Sequence, residues 1–169
     1  MKAPLSWLKD YVSIDLSVDE LASRLALTGT EVERVSEFGV PGENDNQRFF
    51  VVGKVIGCTS HPDSDHLSVC IVDVGEGEPR TIVCGAPNVA AGQTVAVVLP
   101  GGVMPGDFKI KEAKLRGVRS LGMIMSEAEL GLAAKSEGIM VLPDEWPAGD
   151  PLSRYFTLSD KVLEVEVTP

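Results

Sequence analysis

Short apolar stretches alternate with turns rich in glycine and proline through the middle of the chain, residues 48–151. Short strands that recur at intervals of roughly ten residues are typical of a small closed barrel or a sandwich. The predicted strands are Phe49–Ile56, Leu67–Val74, Thr81–Cys84, Thr94–Leu99, Phe108–Leu115 and Ser120–Met125.

A five-stranded barrel of the OB type is the simplest closed sheet for a segment of this length. Because side chains alternate across a strand, we expect Phe108 and Ile110 to face the core while the lysines beside them face solvent. Leu115 and Val118 are then expected to anchor the stretch that follows.

Two capping boxes predict two helices. In such a box, the first side chain and an acidic side chain three residues later each bond a backbone amide of the first helical turn. Ser17 and Glu20 predict a helix near the N-terminus. Ser126 and Glu129 predict a short helix over Glu127–Leu132, packed on the barrel.

The two ends of the chain predict one further unit. Val32 and Val35 lie among charged residues, and Leu163, Val165 and Val167 alternate with glutamates, so each set predicts a half-buried strand. We expect these strands to pair, which would make the barrel an insertion in a small α/β unit and the fold class mainly β with α+β flanks. The predicted domains are an α/β segment over residues 1–38, an OB-fold domain over 39–151, and a return strand over 152–169 that completes the N-terminal unit and starts a truncated next domain.

Composition narrows the functional classes. No pair of the three cysteines, Cys58, Cys70 and Cys84, has the C-x-x-C spacing of a zinc site, and their odd number does not suit a disulfide framework. We therefore expect a reduced, cytoplasmic setting. No apolar run approaches the roughly 18 residues of a membrane span, so no membrane partner is expected. The P-loop motif G-x-x-x-x-G-K-[ST] is absent, and so is a G-x-G-x-x-G motif between a strand and a helix, so a nucleotide-binding enzyme is not supported.

Charge is distributed unevenly along the chain. The formal net charge is −10, which is unfavourable for binding to nucleic acid. Residues 109–119 nevertheless hold five of the 15 basic residues and a single acidic one, Glu112. The basic residues are Lys109, Lys111, Lys114, Arg116 and Arg119. A basic face with nearby glycines suits an RNA backbone, and because only 5% of the residues are aromatic, we expect contacts to phosphates rather than base stacking. A solvated strand face is the alternative.

A cluster of acidic residues and histidines over residues 61–66 is the obvious place for catalysis. His61, Asp63 and Asp65 could serve a small hydrolase or hold a metal ion. However, metal ligands usually come from several elements of a fold, and Pro62 next to Asp63 favours a turn. The structural interpretation is preferred, and the cysteines in apolar strands are expected to be inert.

Four sequence blocks in order resemble one known family. They are His61–Gly75, Ile82–Val89, Lys114–Met123 and Ser126–Gly131. Together they resemble the tRNA-binding domain shared by free-standing tRNA-binding proteins, some methionyl-tRNA synthetases and the β subunit of bacterial phenylalanyl-tRNA synthetase. The flanks, Met1–Val12 and Val162–Pro169, are similar to the N-terminal part of that β subunit.

The resemblance implies the following function. The holoenzyme would be an α2β2 heterotetramer that joins phenylalanine to its tRNA with ATP and magnesium, and its synthetic site would lie in the α subunit. The present chain would be a non-catalytic accessory module, with no cofactor of its own, that binds tRNA. Two alternatives remain: a free-standing tRNA-binding protein or chaperone, and a protein-interaction barrel that serves subunit assembly.

The candidate RNA contacts have two sources. The resemblance implies Asn88, Lys114, Arg116, Ser120, Met123, Ser126 and Glu127, and the charge pattern adds Lys109, Lys111 and Arg119. Structural roles compete with several of these: Asn88 as a turn residue, Met123 as a core residue and Ser126 as a helix cap.

Overall fold

A computed structural model describes residues 1–166 of the chain. They divide into two compact units: Met1–Gly39 together with the strand that begins at Ser159, and Val40–Leu158. In this described part, no helix is both long and apolar enough to cross a membrane. The helices are α1 (Leu5–Lys9) and α2 (Val18–Leu27), with 3-10 turns at Asn46–Phe49 and Leu152–Arg154. The strands are β1 (Lys2–Pro4), β2 (Glu31–Gly39), β3 (Phe50–Ser60), β4 (Ser68–Asp73), β5 (Arg80–Cys84), β6 (Thr94–Val98), β7 (Val103–Met104), β8 (Phe108–Lys109), β9 (Ala113–Leu115), β10 (Val118–Ser120), β11 (Met123–Ile124), β12 (Val141–Leu142) and β13 (Ser159–Glu166).

The smaller unit is a three-stranded antiparallel sheet in the order β1-β13-β2, with α1 and α2 in the same unit. The predicted pairing of the two end strands is confirmed, since Val35 lies opposite Leu163 and Val32 lies opposite Val165. Leu163 and Val165 are buried, as their alternation with glutamates predicts. Val167, the third residue of that pattern, lies outside the described residues.

The predicted capping box begins helix α2. The Ser17 hydroxyl accepts a hydrogen bond from the Glu20 amide at 3.3 Å, and the Glu20 carboxylate accepts one from the Ser17 amide at 3.1 Å. The pKa of the Glu20 carboxyl is held below its ordinary value, mainly by the hydrogen bond from the Ser17 hydroxyl and to a smaller extent by the one from the Ser17 amide. After the helix, Gly29 adopts a φ of 90°, a backbone conformation that glycine reaches without steric cost.

The larger unit is an OB-type barrel, as predicted. Its main sheet has the order β11-β6-β3-β4-β5, and β12 also pairs with β6. The sheet nearly closes because the free edge of β5 bonds the last residue of β10 and the residue after it. The Ser120 hydroxyl accepts the Val83 amide at 3.0 Å, and Leu121 donates its amide to the Thr81 carbonyl at 2.8 Å. Buried valines and isoleucines fill the interior.

One glycine allows the barrel strands to approach each other. A Cβ at Gly53 in β3 would lie 2.6 Å from Cγ2 of Val97 and 2.8 Å from Cγ1 of Val72. Both valines are fully buried and come from the two strands that pair with β3. A side chain at position 53 would therefore overpack the core.

The predicted strand Phe108–Leu115 is wrong as a single element, because it forms two short strands, β8 and β9. The chain turns between them, where Ile110 donates its amide to the Gly102 carbonyl and accepts the Gly101 amide, both at 2.8 Å. Ile110 is buried as predicted, whereas Phe108 is 64% exposed. These bonds extend the antiparallel pairing of β7 with β8 by one residue, and they end the strand before Lys111.

The predicted strand Ser120–Met125 is also interrupted, and gives the end of β10 and the start of β11. Gly122 between them has a φ of 141°, and a Cβ there would lie 2.7 Å from the Val98 carbonyl oxygen. A continuous strand with a side chain at this position would not fit.

The predicted helix over Glu127–Leu132 is absent, and a turn takes its place. The capping box itself forms, since the Glu129 carboxylate accepts the Ser126 amide at 2.8 Å and the Ser126 hydroxyl accepts the Glu129 amide at 3.2 Å. Gly131 then adopts a left-handed conformation with φ 72°, which ends the helical turn immediately after it begins.

Candidate nucleic-acid interface

Strands β9 and β10 form a tight hairpin. Leu115 lies opposite Val118, and the two residues between them, Arg116 and Gly117, have φ values of 46° and 91°. Positive φ at both central residues is the geometry that continues the right-handed twist of the strands. Glycine adopts it readily, whereas Arg116 is strained there and needs support from outside the hairpin.

The basic side chains of residues 109–119 are exposed, and this stretch is named the basic segment below. Within it, Arg119 forms an ion pair with Glu112, and the Arg116 guanidinium donates to the Asp63 carbonyl at 2.9 Å. Among residues 1–166, no ion pair involves the three lysines Lys109, Lys111 and Lys114. Their charges are therefore available to an anionic partner.

The turn that follows β3 contacts the tip of this hairpin. His61 is only 4% exposed, and its Nε2 donates to the Leu115 carbonyl at 3.1 Å. Its Nδ1 accepts the Asp63 amide at 3.1 Å. Leu115, which was expected to anchor this region by its side chain, is 40% exposed and is instead held through its backbone.

This arrangement gives His61 a structural role in the 61–66 turn. Both ring nitrogens of His61 are bonded to backbone groups, while Asp63 and Asp65 are exposed. No three His, Cys, Asp or Glu side chains of the described chain are arranged to hold a metal ion. A hydrolase centred on these residues would need a histidine whose ring nitrogen is free to take up a proton.

Two of the three cysteines lie in the barrel core. Cys70 and Cys84 are buried, and Cys58 is partly buried. Burial raises the pKa of the Cys70 thiol to about 12 and also raises the pKa of the Cys84 thiol. Both thiols therefore stay protonated near neutral pH, and a thiol is a poor nucleophile compared with its thiolate.

Other candidates lie around an open pocket rather than in the basic segment. The pocket is lined by residues 83–87, by Met123, Ile124, Ser126 and Glu129, and by residues 136–139. Asn88 lies beside it, and its amide group clamps Ile139: Nδ2 donates to the Ile139 carbonyl at 3.1 Å and Oδ1 accepts the Ile139 amide at 2.9 Å.

Two serines among the candidates are used internally. Ser120 is 3% exposed, and its hydroxyl accepts the Val83 amide and donates to the Gly122 carbonyl at 3.1 Å. The buried Ser126 hydroxyl donates to the Glu129 carboxylate at 2.7 Å. Met123 and Glu127 are partly buried. The ten sequence candidates thus fall into five exposed cations and five residues at or near the pocket.

The barrel sequence decides the family. Residues 50–151 match the family described as "Putative tRNA binding domain". The chain belongs to this family of tRNA-binding domains. The matched range contains the basic segment, the 61–66 turn and the pocket of this tRNA-binding domain.

Curated relatives are similar over the entire chain. The phenylalanine–tRNA ligase β subunit of Coxiella burnetii is 49% identical and that of Lactiplantibacillus plantarum is 45% identical, each match covering 100% of this chain and 21% of the relative. The chain thus spans about one fifth of the length of these relatives. Among solved structures, a methionyl-tRNA synthetase-related protein from Pyrococcus horikoshii is 27% identical, with a TM-score of 0.45 over 59% of this chain and 84% of that chain.

The sequence interpretation missed one feature of this domain: the contact between the 61–66 turn and the basic hairpin. A role as a turn residue accounts for the hydrogen bond at Nδ1 of His61 but not for the one at its Nε2. The Leu115 carbonyl lies 54 residues further along the chain. No pattern in the neighbouring residues indicates that a histidine is buried and bonded through both of its ring nitrogens.

Proposed function

We propose that this chain is the N-terminal part of a phenylalanine–tRNA ligase β subunit and that its barrel is an accessory, non-catalytic tRNA-binding module. The observation that carries the proposal is the set of exposed basic side chains on residues 109–119, inside a domain that matches a tRNA-binding family. Similarity to β subunits over the whole chain, flanks included, favours this proposal over a free-standing tRNA-binding protein or chaperone.

Contact with RNA is assigned mainly to the basic segment. Lysine and arginine side chains bind phosphates, and each phosphate contact releases counterions, so binding should weaken as salt is added. Lys109, Lys111, Lys114, Arg116 and Arg119 are the proposed phosphate contacts.

The five remaining candidates shape the neighbouring surface in this proposal. Ser120 and Ser126 hold backbone segments in place, Asn88 clamps the loop beside the pocket, and Met123 and Glu127 contribute accessible surface next to it.

The activity of a whole enzyme belongs to the same proposal. The whole enzyme would attach phenylalanine to tRNA with ATP and magnesium. Its β subunit would assemble with an α subunit into an α2β2 tetramer in the cytoplasm. We assign neither ATP nor magnesium to residues of this chain, and its part in the reaction is to hold tRNA.

A salt-series titration tests the binding proposal. The chain is titrated with tRNA and with a length-matched single-stranded DNA between low and physiological salt. Binding that prefers tRNA and weakens linearly in a plot of log K against log salt concentration supports the module. Absence of binding at low salt contradicts it and shifts the role of the barrel towards assembly.

One substitution locates the interface. Lys114→Ala should lower the slope of that plot by up to about one, as expected for one lost phosphate contact. Lys9→Ala, an exposed lysine of the smaller unit, is the matched control and should leave the slope unchanged. Lys114 is a cleaner choice than Arg116, which also bonds the Asp63 carbonyl. Equal slopes in both variants would remove Lys114 from the interface.

A further inference from the structure

The 61–66 turn and the basic hairpin are joined by two hydrogen bonds that run in opposite directions. His61 donates from the turn to the carbonyl of Leu115 in the hairpin, at 3.1 Å. Arg116 donates from the hairpin to the carbonyl of Asp63 in the turn, at 2.9 Å. Each segment therefore contributes one side-chain donor and one backbone acceptor.

The geometry assigns one chemical state to the His61 ring. A carbonyl can only accept a hydrogen bond and a backbone amide can only donate one, so Nε2 carries the proton and Nδ1 is bare. Because His61 is 4% exposed, water has little access to replace either bond. A neutral ring with the proton on Nε2 is the form that satisfies both partners.

The hairpin needs this support. Each of its strands has three residues, and an isolated two-stranded hairpin is only marginally stable in water. One end is fixed where Ser120 bonds the Val83 amide. The other end is the turn, where Leu115 is 40% exposed and Arg116 has a strained φ of 46°. Side-chain packing at this tip is slight, and the bonds to the 61–66 turn take its place.

We propose that His61 is a positioning residue for RNA binding: its buried ring fixes the tip of the basic hairpin, so that Lys114 and Arg116 are presented to RNA phosphates in one geometry. This rests on the proposed function. Without the ring, the flexible hairpin would have to be ordered when RNA binds, and that entropic cost would lower affinity. The charge of the interface would stay the same.

Two substitutions at His61 separate its two bonds. In His61→Gln, the side-chain Nε2 reaches about as far as the histidine Nε2 and can still donate to the Leu115 carbonyl. In His61→Asn, the shorter side chain places its oxygen near the histidine Nδ1, so the bond to Asp63 is retained and the bond to the hairpin is lost. His66→Gln and His66→Asn make the same chemical changes at an exposed histidine and serve as matched controls.

The measurements are tRNA affinity at fixed salt, the salt slope, and hydrogen exchange of amides 113–120 in the absence of RNA. His61→Asn should weaken tRNA binding about three- to tenfold, as expected for one hydrogen bond, with an unchanged salt slope and faster exchange across the hairpin. His61→Gln should restore both affinity and protection to within about twofold of the original chain, given a retained hydrogen bond. Both His66 variants should behave like the original chain.

The outcomes are distinguishable from failure of the proposed function. If the original chain does not bind tRNA, the proposed function fails, and exchange at residues 113–120 still decides whether His61 holds the hairpin. Hairpin protection in His61→Asn equal to that of the original chain overturns the positioning role. Equal losses in the Asn and Gln variants overturn it as well, since they indicate a general packing role.

A second measurement covers the case in which His61→Asn does not fold. Nitrogen NMR of the ring in the original chain should show a neutral His61 with its proton on Nε2, both free and with tRNA bound. A proton on Nδ1 would contradict the bond to Leu115, and with it the proposal.

Discussion

The basic segment and the surroundings of the pocket differ in how they use polar side chains. In the basic segment, three lysines are exposed and form no ion pair within the described residues. Around the pocket, Ser120, Ser126 and Asn88 each bond backbone or side-chain groups of the barrel itself. The three lysines of the basic segment have no ion-pair partner among residues 1–166, whereas the polar groups around the pocket are bonded within the fold.

The comparison shows why a family resemblance assigns residues better than it assigns their roles. A serine matches the sequence pattern of the family equally well whether it contacts RNA or closes the barrel. Only the partners of its hydroxyl group separate the two roles, and for Ser120 those partners are buried backbone groups. Substitutions in the two regions should accordingly affect different measured quantities.

The largest effect on stability is expected at Ser120. Ser120→Ala leaves the Val83 amide and the Gly122 carbonyl without a partner in a buried site, which should lower the free energy of unfolding by about 1–3 kcal/mol. Chemical denaturation measures this change. Ser136→Ala, at an exposed serine, is the control and should change it little. Equal stability of the two variants would show that barrel closure does not depend on the Ser120 hydroxyl.

A smaller effect is expected at Asn88. Asn88→Ala removes both hydrogen bonds to the Ile139 backbone, but water can reach this exposed position and replace them in part. The free energy of unfolding should fall by about 0.5–1.5 kcal/mol, and the Ile139 amide should exchange faster. The salt slope of tRNA binding should not change. Weaker tRNA binding with unchanged stability would reverse the assignment and make Asn88 an RNA contact.

The smallest effect is expected at Glu112. Glu112→Gln removes the ion pair with Arg119, both of whose side chains are exposed, and so frees one positive charge. Affinity for tRNA should rise about twofold at low salt, in line with the small energy of an exposed pair. Asp45→Asn removes the equally exposed pair with Arg48, outside the basic segment, and should leave affinity unchanged. Weaker binding by Glu112→Gln would mean that the pair orders the interface.

Features fixed by nearby residues were predictable from the sequence. The capping box of Ser17 and Glu20 needs only the first turn of its helix, and it forms as expected. The alternation around Leu163 identifies a half-buried strand, and its expected pairing with the strand that contains Val35 forms. The strand β1, which pairs with its other edge, was not predicted. The OB-type barrel follows from many short strands between glycine-rich turns.

Features fixed by backbone conformation or by pairing outside the segment itself were not predicted. The break after Lys109 depends on bonds from Ile110 to Gly101 and Gly102, and alternation within the segment carries no record of them. The Ser126 capping box was recognised, yet Gly131 ends the helical turn that it begins. The charge of the basic segment is visible in the sequence, whereas the hydrogen bond from His61 that ties the hairpin to the 61–66 turn is visible only in the folded structure.

The salt dependence of tRNA binding tests most directly whether the basic segment is the RNA interface. The chain is compared with a variant in which Lys109, Lys111 and Lys114 are all replaced by glutamine. The slope of log K against log salt concentration should fall by about 2 to 3 for three lost phosphate contacts, with unchanged thermal stability, because none of these lysines forms an ion pair within the described residues. An unchanged slope and affinity would show that tRNA, if bound, is held elsewhere.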